Sequence, residues 1–423
     1  MRPKRTVRRF PAVLATAGIL LAVSACTGAS PSASPAASAA ASSATPASSA
    51  ASGTPTPTAS TTASPTSTPG TPNSDSFAIL PGQQPADFVS KITCSGTIGA
   101  SDPVAVVQLH AAVENTGNVV LRDYANPGSP RSACSFGTSQ NPNVQLIDAR
   151  HVVIDGQAVV DLPEVRFHWF QLPGTSTSNA TFVAVSPGLG TVVWLSSDYV
   201  NATDQVHLTT SSGDQVVATL PALRGRCGSP DDSMLGAYTN SGSHLYVLDQ
   251  PSFTDNSLIV LQGQQKVLSI LPPNGGWPQG AWPAMAVWSP TSETLFYRLK
   301  GDVWRWTPTA GAQRYLPGVS WSHPTISPDG GHLAYAVVRP DGLHNVFLID
   351  LAHGGSPKLI GKGARNQPVF LNSTQLWYRS EGQTGCTGGS PGGPLIYNVR
   401  DASESASLID QVFAVWPSTS STY

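Results

Sequence analysis

Four of the chain's nine histidines fall within one stretch, HPTISPDGGHLAYAVVRPDGLHNVFLIDLAHGG, at His323, His332, His344 and His353. Imidazole is a frequent metal ligand and a proton carrier near neutral pH, so a metal centre is the first chemistry to weigh. A second pattern, GGSPG from Gly388 to Gly392, matches the G-x-S-x-G nucleophile elbow. The residue after the serine should lend its N–H to an oxyanion, and here it is Pro391, which has none. The stretch therefore reads as a flexible rim loop that also carries Cys386. A third pattern, Asp231-Asp232, offers two carboxylates to calcium, but one pair without further ligands at set spacing falls short of a site. Aspartates in such a turn bond nearby backbone amides instead.

The N-terminus reads as export and tethering. Arg2, Lys4, Arg5, Arg8 and Arg9 precede an uncharged apolar run from Pro11 to Ala25, the layout of a signal peptide. The run, roughly 15 residues, is short against the roughly 20 of a spanning helix. It ends in Val23-Ser24-Ala25-Cys26, which resembles a bacterial lipobox. That resemblance implies a diacylglycerol on Cys26, cleavage before it and anchoring by acyl chains. Residues 1–26 are thus expected to be a lipoprotein signal peptide, and the protein is expected on the outer face of a bacterial cytoplasmic membrane. Residues 27–76 are almost wholly Ser, Ala, Thr, Pro and Gly. Such a segment buries too little apolar surface to offset its ordering entropy, so it is expected to be a disordered stalk. The fold is expected in residues 77–423.

Removing the five N-terminal positive charges shifts the formal net charge from −2 to about −7. No basic patch argues for nucleic acid, and nothing calls for a cofactor. Cys94, Cys134, Cys227 and Cys386 remain. An even count in an exported chain favours two disulfides, with three connectivities open; Cys94 with Cys134 and Cys227 with Cys386 is the preferred set. None lies in a CxxC pair, which speaks against zinc or thioredoxin-like chemistry.

The elements that must position these groups come from a repeat. SPDGGHLAYAVVRPDGLHNVFLIDLAHGG from Ser327, SPTSETLFYRLKGDVWRWTPTAGAQRYL from Ser289 and SPGLGTVVWLSSDYVNATDQVHLTTSSGDQVVATL from Ser186 share one order. Ser-Pro and a polar turn lead to a strand, a loop, a second strand, a Gly-containing turn and a third strand. A fourth apolar element precedes each Ser-Pro, so every copy is a four-stranded antiparallel meander. Weaker copies open at Ser229, with an insertion to about Pro283, and at Asn372; fainter ones lie near Ile147 and Ser101. Together they make about seven units, six being the alternative, near the roughly 40–50 residues of a propeller blade. Leu333, Tyr335 and Val337 alternate with Ala334, Ala336 and Val338, so both strand faces are apolar and must be covered, as in blades stacked around an axis. A β-sandwich also gives many short strands, but not this recurring phrase. The expected fold is an all-β propeller, closed by pairing of Gln411–Pro417 with the first blade near 87–93.

The phrase SPDGGHLAY…VFLIDL resembles the repeat of TolB-type β-propellers, which also occurs in prolyl-oligopeptidase-like peptidases and in actinobacterial lipoproteins. The resemblance is close in one copy and faint towards the N-terminus. It implies a periplasmic protein-binding platform. A peptidase would need a further catalytic domain of roughly 200 residues, which is not expected within the residues up to Tyr423.

In a four-stranded blade His332 and His353 fall on one rim, His323 and His344 on the other. A strand's length, roughly 17–20 Å, separates the pairs, far beyond metal–nitrogen bonds near 2 Å, so four-histidine coordination is excluded. Trp194, Trp304, Trp306 and Trp377 are expected to wedge blades together, whereas Trp277, Trp282 and Trp321, at Gly/Pro-rich junctions, are expected at the channel entrance. With His323 and His344 they form the expected partner-binding rim. The function expected is non-enzymatic binding of an envelope protein or cell-surface ligand. The alternative is an extracytoplasmic glycan hydrolase or lyase with its site in the central channel. The enzyme calls for carboxylates, His, Arg or Tyr converging at one channel mouth; the platform calls for an exposed apolar or aromatic rim.

Overall fold

The computed structural model describes residues 74–85, 91–94, 104–109, 118–123, 131–137, 144–162, 164–173, 180–198, 200–221, 233–250, 255–383 and 389–417. Cys26, Cys227, Cys386, Asp231 and Asp232, with the expected signal peptide and most of the expected stalk, lie outside the described residues. Among the described residues there are strands and turns and no helix.

The chain enters with β1 (Ser74–Ser76). Blade 1 begins with β2 (Lys91–Cys94), β3 (Val104–Leu109), β4 (Asn118–Asp123) and β5 (Arg131–Gly137). Blade 2 holds β6 (Val144–Leu146), β7 (His151–Ile154), β8 (Ala158–Asp161) and β9 (Arg166–Trp169). Blade 3 holds β10 (Ala180–Val185), β11 (Val192–Asp198), β12 (Thr203–Thr210) and β13 (Gly213–Pro221). Blade 4 holds β14 (Ser233–Tyr238), β15 (Leu245–Gln250), β16 (Ser257–Gln262) and β17 (Gln265–Ile270). Blade 5 holds β18 (Ala284–Trp288), β19 (Leu295–Leu299), β20 (Asp302–Thr307) and β21 (Gly311–Leu316). Blade 6 holds β22 (Trp321–Ile326), β23 (His332–Val338), β24 (His344–Asp350) and β25 (Lys358–Ile360). Blade 7 holds β26 (Arg365–Phe370), β27 (Gln375–Gln383), β28 (Gly389–Asn398) and β29 (Ser403–Ala406), and β30 (Ile409–Trp416) follows.

Blades 3 to 7 are four-stranded meanders in chain order. Blade 1 runs β2-β5-β4-β3-β30 and blade 2 runs β1-β9-β8-β7-β6. The Ser-Pro phrase recurs because its serine closes the turn after the first strand. In blade 6 Ser327 Oγ accepts the His332 amide at 2.9 Å, its own amide donates to His332 O, and its hydroxyl donates to Asp329. Ser186 makes the first two of these bonds with Thr191. In blade 4 the corresponding residue is Thr239, which exchanges bonds with His244. This corrects the repeat drawn from Ser229: that serine precedes the blade, and residues up to Pro283 hold a complete meander and a connection rather than an insertion.

Seven apolar clusters, each shared by two successive sheets, establish a ring. Blades 1 and 2 meet around Val106, Val152 and Trp169, blades 2 and 3 around Phe170 and Trp194, and blades 3 and 4 around Leu208 and Leu245. Blades 4 and 5 share Leu258, Trp288 and Trp306, blades 5 and 6 share Phe296 and Trp321, and blades 6 and 7 share Ala336, Phe370 and Tyr378. The seventh cluster, with Val369 and Trp377 against Val107, Val412 and Val415, joins blade 7 back to blade 1. The fold is therefore a seven-bladed β-propeller. The alternation read in β23 is real: Leu333, Tyr335 and Val337 face blade 5, and Ala334 and Ala336 face blade 7. Val338 is the exception, exposed at the strand's end.

Closure uses β30, but its partner is β3, with Val104 opposite Trp416 and Ala105 opposite Val415. The expected partner near 87–93 is corrected because β2 already lies on the far edge of that sheet, paired with β5 and joined to it by the Cys94–Cys134 disulfide. At the N-terminus β1 pairs in parallel with β9, and Phe77 and Leu80 enter the core between blades 2 and 3. The described residues thus include an ordered strand at Ser74–Ser76.

Candidate functional site

First strands of neighbouring blades touch, as β10 with β14, β18 with β22 and β22 with β26, whereas last strands such as β17 and β21 are largely exposed. First strands therefore surround the axis, and the channel has two distinct mouths. At one, the turn mouth, first strands end in the Ser-Pro turns. There Pro417, one residue beyond β30 of blade 1, is held by Asn240 of blade 4, whose amide donates to Pro417 O at 3.1 Å and to Pro290 O of blade 5 at 2.7 Å. The chain's own backbone thus reaches across the turn mouth. At the other, the entry mouth, first strands begin.

The entry mouth is irregular in three successive blades. β18, β22 and β26 each carry a bulge, with the register jumping from Ala284 to Val287, from Ser322 to Thr325 and from Asn366 to Val369. Met285, His323 and Gln367 occupy the bulges with positive φ of 53°, 48° and 55°. Pro324 and Pro368 follow two of them; proline lacks a ladder N–H and suits a bulge. A left-handed non-glycine residue costs on the order of 1–3 kcal/mol, and such strain gathers at functional positions.

Around these bulges lies a polar group shared by blades 5, 6 and 7. His344 donates its backbone N–H to Glu381 Oε2 at 2.6 Å, and its Nδ1 stands 3.0 Å from Glu381 Oε1. Asn366 Nδ2 donates to the same Oε1 at 3.0 Å. His323 feels both His344 and Glu381; burial foremost, with His344, pulls it below the ordinary histidine range, and Glu381 offsets this in part. Its Nδ1 is buried with no hydrogen-bond partner among the described residues. Arg298 and Arg379 hold equivalent places in LFYR of blade 5 and LWYR of blade 7. Each donates one N–H to the next blade's innermost strand, Arg298 to Trp321 O at 3.3 Å and Arg379 to Asp410 O at 3.2 Å. Burial also lowers the Arg298 pKa.

The other sequence-predicted residues lie elsewhere. His332 sits opposite Asp350 in the ladder, and His353 Nδ1 lies 2.8 Å from the same carboxylate, at the opposite edge of blade 6 from His323 and His344. Among the described residues no three His, Cys, Asp or Glu side chains converge to hold an ion. Trp277 and Trp321 are buried and do not line the channel entrance. Trp277 donates to Asn256 O at 2.8 Å within the core of blades 4 and 5, and Trp321 is fully buried against Tyr335. Trp282 is half-buried on that same core. Each closes the space where one blade hands over to the next, so an exposed aromatic rim built on them is corrected. Gly389–Gly392 belongs to β28, with Ser390 opposite Gly382 and Pro391 opposite Glu381, so these residues form ladder rather than a loop.

Sequence reasoning missed one further constellation. Ser196 Oγ lies 2.9 Å from His207 Nε2, and His207 Nδ1 lies 2.7 Å from Asp214 Oδ2. Thr209 donates to Asp214 at 2.6 Å, Trp194 donates to Thr209 at 3.0 Å, and the Trp194 and His207 rings stack at 3.8 Å. The order mimics a nucleophilic triad. Ser196 is nonetheless mid-sheet, paired on both sides with Ala180 and Gln205, and Ser197 pairs with Asp204. Local amides are spent in the ladder rather than aimed at an oxyanion. The relay instead fixes Trp194 between blades 2 and 3.

No family model and no curated protein matches the sequence. Solved structures are similar in fold. A prolyl endopeptidase is 14% identical over 73% of this chain and 50% of its own, with a TM-score of 0.43. TolB from Acinetobacter baumannii is 12% identical over 75% and 67%, with a TM-score of 0.37. The β-propeller domain of the Trilobed protease from Pyrococcus furiosus is 8% identical over 72% and 82%, with a TM-score of 0.38. The chain thus spans half the length of the prolyl endopeptidase, and these likenesses concern the fold alone.

Proposed function

We propose that the chain is a lipid-anchored, extracytoplasmic β-propeller that acts as a non-enzymatic platform, binding an envelope protein or cell-surface ligand at the entry mouth. The observation that carries this reading is the set of donors gathered there by three blades: Arg298, His323 and Arg379, none of them matched to a carboxylate of the chain by hydrogen bond or ion pair among the described residues. The one carboxylate in the group, Glu381, is already engaged by His344 and Asn366, which suits a scaffold better than a free base. The surface so made is polar, unlike the aromatic rim expected from sequence. The anchor rests on the signal layout ending at Cys26.

Crosslinking in intact cells with identification of the adduct tests the platform: a recurrent envelope protein or surface polymer is expected, and recovery of lipid alone overturns it. Cys26→Ser should release or misprocess the protein; unchanged membrane retention overturns the anchor. A second reading, a glycan hydrolase or lyase, draws on one feature. The Glu381 carboxylate orients the His344 ring through Nδ1, as a general base requires. Turnover of a glycan that disappears in H344A but survives in R298Q would favour it over the platform.

A further inference from the structure

Among the described arginines, Arg305 bonds the Gln313 side chain and lies over the Tyr315 ring, and two further groups contrast with each other. Arg150, Arg314, Arg339 and Arg365 each meet a carboxylate: Asp161 at 3.3 Å, Asp302 at 3.7 Å, Asp341 at 2.7 Å and Glu404 at 2.7 Å. Arg298 and Arg379 do not, although both are partly buried between blades. Each is tethered through a single N–H to a backbone carbonyl, and each has a buried Nε without a partner among the described residues. Charge taken out of water is costly unless paired. Arg305 meets its own blade's Gln313 side chain, whereas Arg298 and Arg379 have only a backbone carbonyl of the next blade, which leaves most of their donors for a ligand.

Their placement adds a second argument. The arginines recur at one repeat position, in Leu295-Phe296-Tyr297-Arg298 and Leu376-Trp377-Tyr378-Arg379, while blade 6 between them has Leu333-Ala334-Tyr335-Ala336. In that gap stands His323, on a strained bulge and largely neutral, with a spare ring nitrogen. The entry mouth thus offers two fixed cations flanking a neutral hydrogen-bonding site. The nearby negative charge, Glu381, is covered by three donors. Planar guanidinium forks fit carboxylate and phosphate oxygens.

We infer that the entry mouth is an anion-binding site, in which Arg298 and Arg379 bind carboxylate or phosphate oxygens of the ligand and His323 hydrogen-bonds the same ligand. This rests on the platform reading and names the chemistry of what is bound.

The test uses the full-length chain in detergent, titrated with succinate and with inorganic phosphate at matched ionic strength. Binding is followed by calorimetry and by the shift in Tm. At least one anion should bind, and binding should weaken tenfold or more in R298Q and in R379Q but not in R314Q. Preference for succinate assigns a carboxylate ligand, and preference for phosphate a phosphorylated one. No binding of either anion, or equal binding in the double variant, overturns the inference. If the variants fail to fold, wild-type protein is treated with phenylglyoxal and mapped by peptide. Slower modification of Arg298 and Arg379 relative to Arg314 when the anion is present supports the site, and equal rates overturn it. Partner capture at this mouth without anion binding would sink the inference and leave the platform standing; anion binding without any captured partner would do the reverse.

Discussion

His323 shows how much one residue's role depends on its neighbours. Its ring is drawn below the ordinary value of 6.5 by burial and by His344, against the pull of Glu381. Just under that value the folded chain binds fewer protons than the unfolded one, so stability present at neutral pH is lost as pH falls. His323→Asn should flatten the stability curve as pH falls below about 6.5, measured by urea unfolding at several pH values; an unchanged slope would reject the assignment. The sequence placed His323 and His344 on a rim away from His332 and His353, because four strands and three turns fix which ends coincide. It could not reveal Arg298 or Arg379 as unlike other arginines. What marks them is that each guanidinium, partly buried between blades, is held by a backbone carbonyl and by no carboxylate contact among the described residues, a fact of packing rather than of local pattern. Trp277 and Trp321 misled for the same reason: a Gly/Pro-rich junction marks a loop, but the space beneath it belongs to the next blade.

At the level of elements, the Ser-Pro phrase was legible because the serine side chain itself closes the turn. Blade 4 blurred the reading because Thr239 does that work without a following proline. The bulges of β18, β22 and β26 were hidden: each inserts one residue opposite its partner strand at a strand's start, where too few residues remain for a change of alternation to be read. The outer edge of blade 1 depends on a crosslink. β2 is a four-residue strand tied to β5 by Cys94–Cys134, which closes a loop of 40 residues. Such a link contributes about 2–4 kcal/mol. Replacing both cysteines by serine should lower stability by about that much while leaving the entry mouth's binding unchanged; unaltered chemical denaturation would show that the strand holds without it.

For the whole molecule, the ring depends on its last strand. β30 supplies the innermost strand of blade 1 and three of the eight buried residues, Ile409, Val412 and Val415, in the cluster that joins blade 7 to it. Closure was foreseeable from an apolar C-terminal stretch, but its partner was not, because β2 and β3 enter opposite edges of one sheet. Deleting residues from 409 onward should expose β3 of blade 1 and the face of Trp377. The expected outcome is a broad, less cooperative melt with concentration-dependent association, as bared edges invite pairing; a sharp monomeric transition would contradict it. The same strand brings Pro417 across the turn mouth to Asn240, and the proposed platform uses the polar entry mouth on the other side. A photoreactive residue placed at Gln367 and, separately, at Ser241 puts that claim to its most direct test in living cells. The account predicts that one defined partner is captured from Gln367, is lost when Arg298 and Arg379 are both changed to Gln, and is not captured from Ser241. Capture from Ser241 alone, or capture from Gln367 indifferent to both arginines, would contradict it.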